Sequence, residues 1–155
     1  MKTYSLFILK PGFVDKFDEL KAILAQNEIK IEKFKEGVLP LDKIEVHYEE
    51  HKGKSFYDGL VRYMTQGDVK GIYKFVPNTI TMLVSSLKDE SEEDFITRTR
   101  ALVKEVIRPK FALNREAFKA LSDEDFEELT KTANVLHASD SPVSAEREIK
   151  NFAGC

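Results

Sequence analysis

The chain has 155 residues, 42% hydrophobic and 33% charged, which suits one globular domain over residues 1–155 and excludes a disordered or collagen-like chain. A net charge of −3 offers no bulk attraction to nucleic acid, so any anion site must be local. Apolar runs such as Leu6-Phe7-Ile8-Leu9 are too short to span a membrane, the first residues show no signal-peptide cleavage pattern, and the lone Cys155 fits a reducing, cytoplasmic setting.

Residues 3–9 read as a buried strand ending at Lys10-Pro11-Gly12. From Val14, the apolar positions Phe17, Leu20, Ile23 and Leu24 recur at helical spacing. Residues 29–38 read as a half-exposed strand with an irregularity, stopped by Pro40. Leu41, Ile44 and Tyr48 mark a short helix, and Phe56, Leu60 and Met64 a second that ends near Gly67. Residues 69–76 and 79–85 both read as strand, the second being central because Ile80, Met82 and Val84 alternate. Residues 92–107 predict one amphipathic helix, with acidic residues at its start and Arg108 at its end. Ser122 with Asp125 opens a short helix through Leu129. Residues 134–137 read as a last strand, and Ser141-Pro142 starts a terminal helix. Stripped of extras the order is βαββαβ. The expected fold class is therefore α+β, a ferredoxin-like antiparallel sheet with helices on one face plus extra helices.

The chemistry-bearing residues are few. His137 stands at a strand end beside the small residues Ala138 and Ser139, with Ser139 and Glu148 able to reach its ring. A carboxylate on one ring nitrogen would fix the tautomer and raise the basicity of the other. A surface histidine beside a turn and a cap is the competing reading. Lys10, fixed by Pro11, is either a charge aimed into a crevice or a solvated turn lysine. Arg98, Arg100 and Arg108 are either a basic cluster suited to phosphate or a solvated helix face paired with Glu92, Asp94 and Glu105. Arg98 and Arg100 diverge by roughly 160–200° on a helix and cannot both face one ligand. Tyr48 and Phe56 either flank a flat ligand or belong to the core. His47 and His51 are four apart without a third ligand, so no metal site is assigned. There is neither a Walker loop nor a GxGxxG.

Taken together, three separated motifs resemble those of nucleoside diphosphate kinases. Asn134-Val-Leu-His137-Ala-Ser139-Asp140, with the following Ser141-Pro-Val-Ser-Ala-Glu-Arg-Glu148, resembles the family's active-site signature. Leu6-Phe-Ile-Leu-Lys10-Pro11 resembles its first strand and lysine. His47-Tyr48 through Gly67 is similar to its nucleotide-clamping helical hairpin. The resemblance spans roughly residues 1–67 and 133–152.

It implies ping-pong transfer of a γ-phosphate from a nucleoside triphosphate to a nucleoside diphosphate through a phosphohistidine at His137. Glu148 and Ser139 would orient and support the ring. Lys10, Arg100, Arg108 and Asn134 would bind phosphate and ribose, Tyr48 would sit near the terminal phosphate, and Phe56 and Leu60 would hold the base. Mg²⁺ would ride on the nucleotide phosphates. A homo-oligomer, tetramer or hexamer, is implied, with no membrane or specific nucleic-acid partner. The alternative is a weak or inactive relative acting as a nucleotide-binding or regulatory module. An RNA-binding ferredoxin-like domain would need a basic, aromatic sheet face, for which the charge balance offers little. The family's Pro-Gly-Thr-Ile-Arg-Gly-Asp-Phe loop has only Val106-Ile-Arg108-Pro-Lys-Phe111 as its nearest counterpart. Gly12 stands where an aspartate is usual, and the stretch from Arg108 to His137 is longer than in ordinary members.

Overall fold

The computed structural model describes residues 2–153; Cys155 lies outside them. Four strands form one antiparallel sheet: β1 (Tyr4–Leu9), β2 (Ile29–Gly37), β5 (Thr79–Ser86) and β6 (Leu136–Ala138), in the order β2-β5-β1-β6. That is the βαββαβ arrangement expected from the sequence. β1 and β5 lie in the middle, and their apolar runs are buried on both faces. β2 is an edge strand, rich in charge and bulged between Ile31 and Lys33, features that discourage unwanted pairing.

Helix α1 (Phe17–Gln26) packs along β2, while α4 (Glu92–Leu102) and α7 (Pro142–Asn151) pack against β1. Helices α2 (Leu41–His47) and α3 (Tyr57–Gln66) form a hairpin beside α7. The Lys10-Pro11 turn is tied to α3, because Tyr63 Oη donates to the Pro11 carbonyl at 2.6 Å. Ser91, Ser122 and Ser141 each cap a helix, accepting from Asp94 N, Asp125 N and Ser144 N at 3.0–3.1 Å.

Two segments differ from the sequence expectation. Residues 69–76 do not form a strand of the sheet. Asp68–Val69 (β3) and Tyr73–Lys74 (β4) form a minimal hairpin around Lys70 and Gly71, whose φ of +49° and +72° turn the chain back. The expected helix 92–107 is α-helical only to Leu102. Val103–Ile107 is a π-turn, followed by the short α5 (Arg108–Phe111). The wider turn shifts the phase, so Ile107 enters the core and Val106 stays 43% exposed.

The 112–132 stretch ends in α6 (Asp123–Thr132), three residues longer than expected. A chain of aromatic contacts anchors it: Phe126 to Phe118 (6.1 Å between centroids), Phe118 to Tyr73 (5.0 Å), and Tyr73 to Phe75 (4.7 Å). Phe75 in turn lies over Gly12, at φ +95°, where a Cβ would come within 2.5 Å of the ring. This explains why no acidic side chain occupies that position.

Candidate active site

The approach to β6 is strained. Leu136 N donates to the Asn134 carbonyl at 3.1 Å, closing a γ-turn around Val135 at φ +83°. A β-branched residue there carries about 1–3 kcal/mol of backbone strain. The turn is held from outside, since Lys10 N donates to the Val135 carbonyl at 2.9 Å. It delivers His137 directly opposite Ile8 of β1.

The imidazole is fixed by α7. His137 Nε2 lies 2.8 Å from Glu148 Oε1, and Ser139 Oγ donates to the same oxygen at 2.8 Å. Ser139 Oγ itself accepts from Leu6 N at 3.1 Å. Glu148 is buried, so its carboxylate depends on these donors. Assigning the proton from this hydrogen bond places it on Nε2 of the neutral ring and leaves Nδ1 with a free lone pair. The His137 side chain keeps 19% of its surface open.

The cations lie on the neighbouring segments. Lys10 is buried, and its Nζ donates to Asn134 Oδ1 at 2.6 Å. Burial, and secondarily the Arg108 charge, push its ammonium down to about 7. Arg108 Nη2 donates to the Leu136 carbonyl at 3.3 Å, and its buried Nε has no partner among the described residues. Neither cation has a carboxylate partner among the described residues, so an incoming polyanion would supply the missing counter-charge. Arg100 Nη1 donates to the Asp140 carbonyl at 3.4 Å. With Arg108, Ala138 and Asp140 it lines a cleft of 370 Å³. Arg98 points away, paired with Glu90 at 2.8 Å and bonded to the Asn27 carbonyl beyond the C-terminus of α1. The helical divergence of the two arginines thus leaves Arg100 on the cleft.

Tyr48 is buried, and burial, then Glu148, raise its phenol well above the usual range. Phe56 is 45% exposed. With Leu60 it lines a separate cleft of 230 Å³ opposite Lys131 and Thr132.

His47 stands out in the structure in a way the sequence did not show. Its ring sits edge-on to His137, with centroids 4.5 Å apart at 82°, and neither nitrogen has a partner among the described residues. Burial first, then the His137 and Lys10 charges, hold it well below the ordinary histidine value, so it packs as a neutral wall. The pair with His51 is not formed as a metal site, since the His51 ring turns toward Phe56 at 5.3 Å. His47, His137 and Glu148 do bring three donor atoms within 4.8 Å of one another. Their imidazole nitrogens are unsuited to Mg²⁺.

The chain is similar to known proteins over nearly its whole length. The sequence profile described as nucleoside diphosphate kinase matches residues 3–154. The chain is 34% identical over 152 residues to the nucleoside diphosphate kinase of Methanothermobacter thermautotrophicus, covering 96% of this chain and 85% of that one. It is 29% identical over 147 residues to that of Ignicoccus hospitalis, covering 94% and 84%. A crystal structure of the Aquifex aeolicus nucleoside diphosphate kinase superposes with a TM-score of 0.67 at 20% identity, over 99% of this chain and 97% of that one. No helix among the described residues is long and apolar enough to cross a membrane.

Proposed function

The chain belongs to the nucleoside diphosphate kinase family, and from that premise we propose that His137 carries the phosphoryl group between nucleotides. The observation that supports this reading is the convergence of Ser139 and His137 Nε2 on one oxygen of Glu148. It fixes the ring and leaves Nδ1 as the nucleophile.

In the first half-reaction, the Nδ1 lone pair attacks the γ-phosphorus of a nucleoside triphosphate. The bond from that phosphorus to the β–γ bridging oxygen breaks, and the nucleoside diphosphate departs with the electron pair. The phosphohistidine then gives up the same group to a terminal oxygen of an acceptor diphosphate, regenerating the imidazole. Glu148 stabilises the positive charge that develops on the ring. Lys10, Arg108 and Arg100 neutralise the phosphate oxygens, and Asn134 holds the ribose. Tyr48 stands near the terminal phosphate, while Phe56 and Leu60 receive the base.

The donors lining the Arg100–Arg108 cleft are Arg100, Lys104 and Arg108 with only Glu105 and Asp140 as carboxylates. Such a set fits Mg²⁺ that arrives on the nucleotide phosphates rather than one held in a protein cage. The ion would neutralise phosphate charge, with Asp140 beside it. The chain acts as one domain in a cytoplasmic homo-oligomer on this reading.

The test is incubation with γ-labelled ATP and Mg²⁺. Acid-labile label should appear on the protein, chase into an added diphosphate, and vanish in His137→Ala. A wild-type protein that binds ATP and never takes up label would defeat the proposal.

A further inference from the structure

The cleft beside Phe56 has an apolar floor and a charged rim. Phe56, Leu60 and Val69 line one side, and Lys70, Glu128, Lys131 and Thr132 the other. Glu128 occupies the middle of the rim. Its Oε2 accepts from Lys70 Nζ at 2.8 Å, and its Oε1 lies 3.8 Å from Lys131 Nζ. The Lys70 contact keeps the carboxyl below its usual range, so it is an ionised acceptor at neutral pH. The rim side chains are 36–63% exposed and free to turn toward a ligand.

Thr132 is followed two residues later by Asn134, which reaches Lys10. The backbone from 131 to 134 therefore leads from this rim to the cation site, and on the reading above a nucleotide with its phosphates at Lys10 and Arg108 would lay its base in the cleft. Stacking on Phe56 is indifferent to base identity, because each base has a π face. Discrimination falls to the base edge that meets the rim.

A carboxylate flanked by ammonium groups complements an edge on which a ring N–H adjoins a carbonyl. Guanine, uracil and thymine have that edge, and guanine adds an exocyclic amine beside the N–H. Adenine and cytosine instead direct a ring-nitrogen lone pair at the carboxylate, which is repulsive. We propose that the Lys70–Glu128–Lys131 rim makes this site selective among nucleoside diphosphates for lactam bases, guanine above all. Glu128 accepts from the ring N–H and the guanine amine, and Lys70 or Lys131 donates to the adjacent carbonyl. This rests on the base lying beside Phe56, as in the reading above.

Calorimetry with GDP, UDP, ADP and CDP in the presence of Mg²⁺ tests it on the wild type and on Glu128→Ala, a substitution on the exposed face of α6. GDP should bind about tenfold more tightly than ADP, the scale of one good bidentate contact, with UDP ahead of CDP. Glu128→Ala should weaken GDP and, with the repulsion gone, tighten ADP slightly, bringing the two within about twofold. Equal wild-type affinities, or a uniform loss for all four in the variant, would overturn the proposal. Phosphotransfer assays with the same four acceptors separate this from the catalytic reading. Base preference in binding without any transfer removes the phosphohistidine reading alone, and transfer with no base preference removes the rim's role alone.

Discussion

Lys10 is a buried ammonium whose only hydrogen-bond partner among the described residues is the amide oxygen of Asn134. Its value near 7 makes the free site half-charged around neutrality. Phosphate binding demands the charged form, so kcat/KM for a diphosphate should fall on the alkaline side with an apparent pKa near 7. Lys10→Arg, whose guanidinium stays protonated, should lose that alkaline limb; an unaltered limb in the variant would assign it to another group. Taken singly, Lys10 and His137 read equally well as surface residues; Lys10, Asn134, His137, Ser139 and Glu148 become legible together through the resemblance of three ordered motifs to one family. His47 and Glu128 are not legible in this way. The role of each depends on a partner 58–90 residues distant, His137 for one and Lys70 for the other, and helical periodicity carries no information about such pairs. Spacing alone shows that Arg98 and Arg100 diverge; only the docking of α4 shows that Arg98 is held by Glu90.

At the scale of elements, the γ-turn before β6 is the strained piece. Val135→Gly removes the penalty of a β-branched residue at φ +83° but frees the backbone that aims His137. Relief of strain offsets the added unfolded-state entropy but not the loss of a core side chain that is 1% exposed, so stability should fall by about 1–3 kcal/mol. Activity should fall by about tenfold or more, as misplacement of a reacting group does. Thermal melts together with kcat decide it, and unchanged kcat would show that the turn only connects. The expected helix 92–107 fails at Val103 because a hydrophobic phase can be kept across a π-turn by shifting one position, from Val106 to Ile107. The expected strand 69–76 fails because its apolar residues serve the aromatic chain under α6 and not the sheet. Lys70-Gly71 was the local signal for a turn. Of the two central strands, β1 was readable from its continuous apolar run and β5 from the alternation of Ile80, Met82 and Val84 with little charge between them.

Across the whole molecule, two buried bases tilt stability in one direction with pH. His47 stays neutral in the folded chain but takes up a proton on unfolding below its ordinary value of 6.5. Lys10 is deprotonated above about 7 when folded and protonated up to 10.5 when unfolded. In both windows the unfolded state binds more protons, so stability rises with pH. The melting temperature of the ligand-free protein should therefore climb from pH 6 to pH 9, with a slope of up to about 1.4 kcal/mol per pH unit for each group. Lys10→Met should flatten the limb above pH 7, and saturating nucleotide should do the same by restoring the proton. A melting temperature that falls steadily across this range would contradict the placement of both groups.

His137 and Glu148 meet because β1 is the platform on which both β6 and α7 settle. Leu6, at one end of the described chain, orients Ser139 through its backbone N–H, while Glu148 arrives from the other end. A chain whose α7 is undocked therefore holds its histidine without the carboxylate that fixes the ring. The sheet alone therefore does not complete the arrangement; the docking of α7 does.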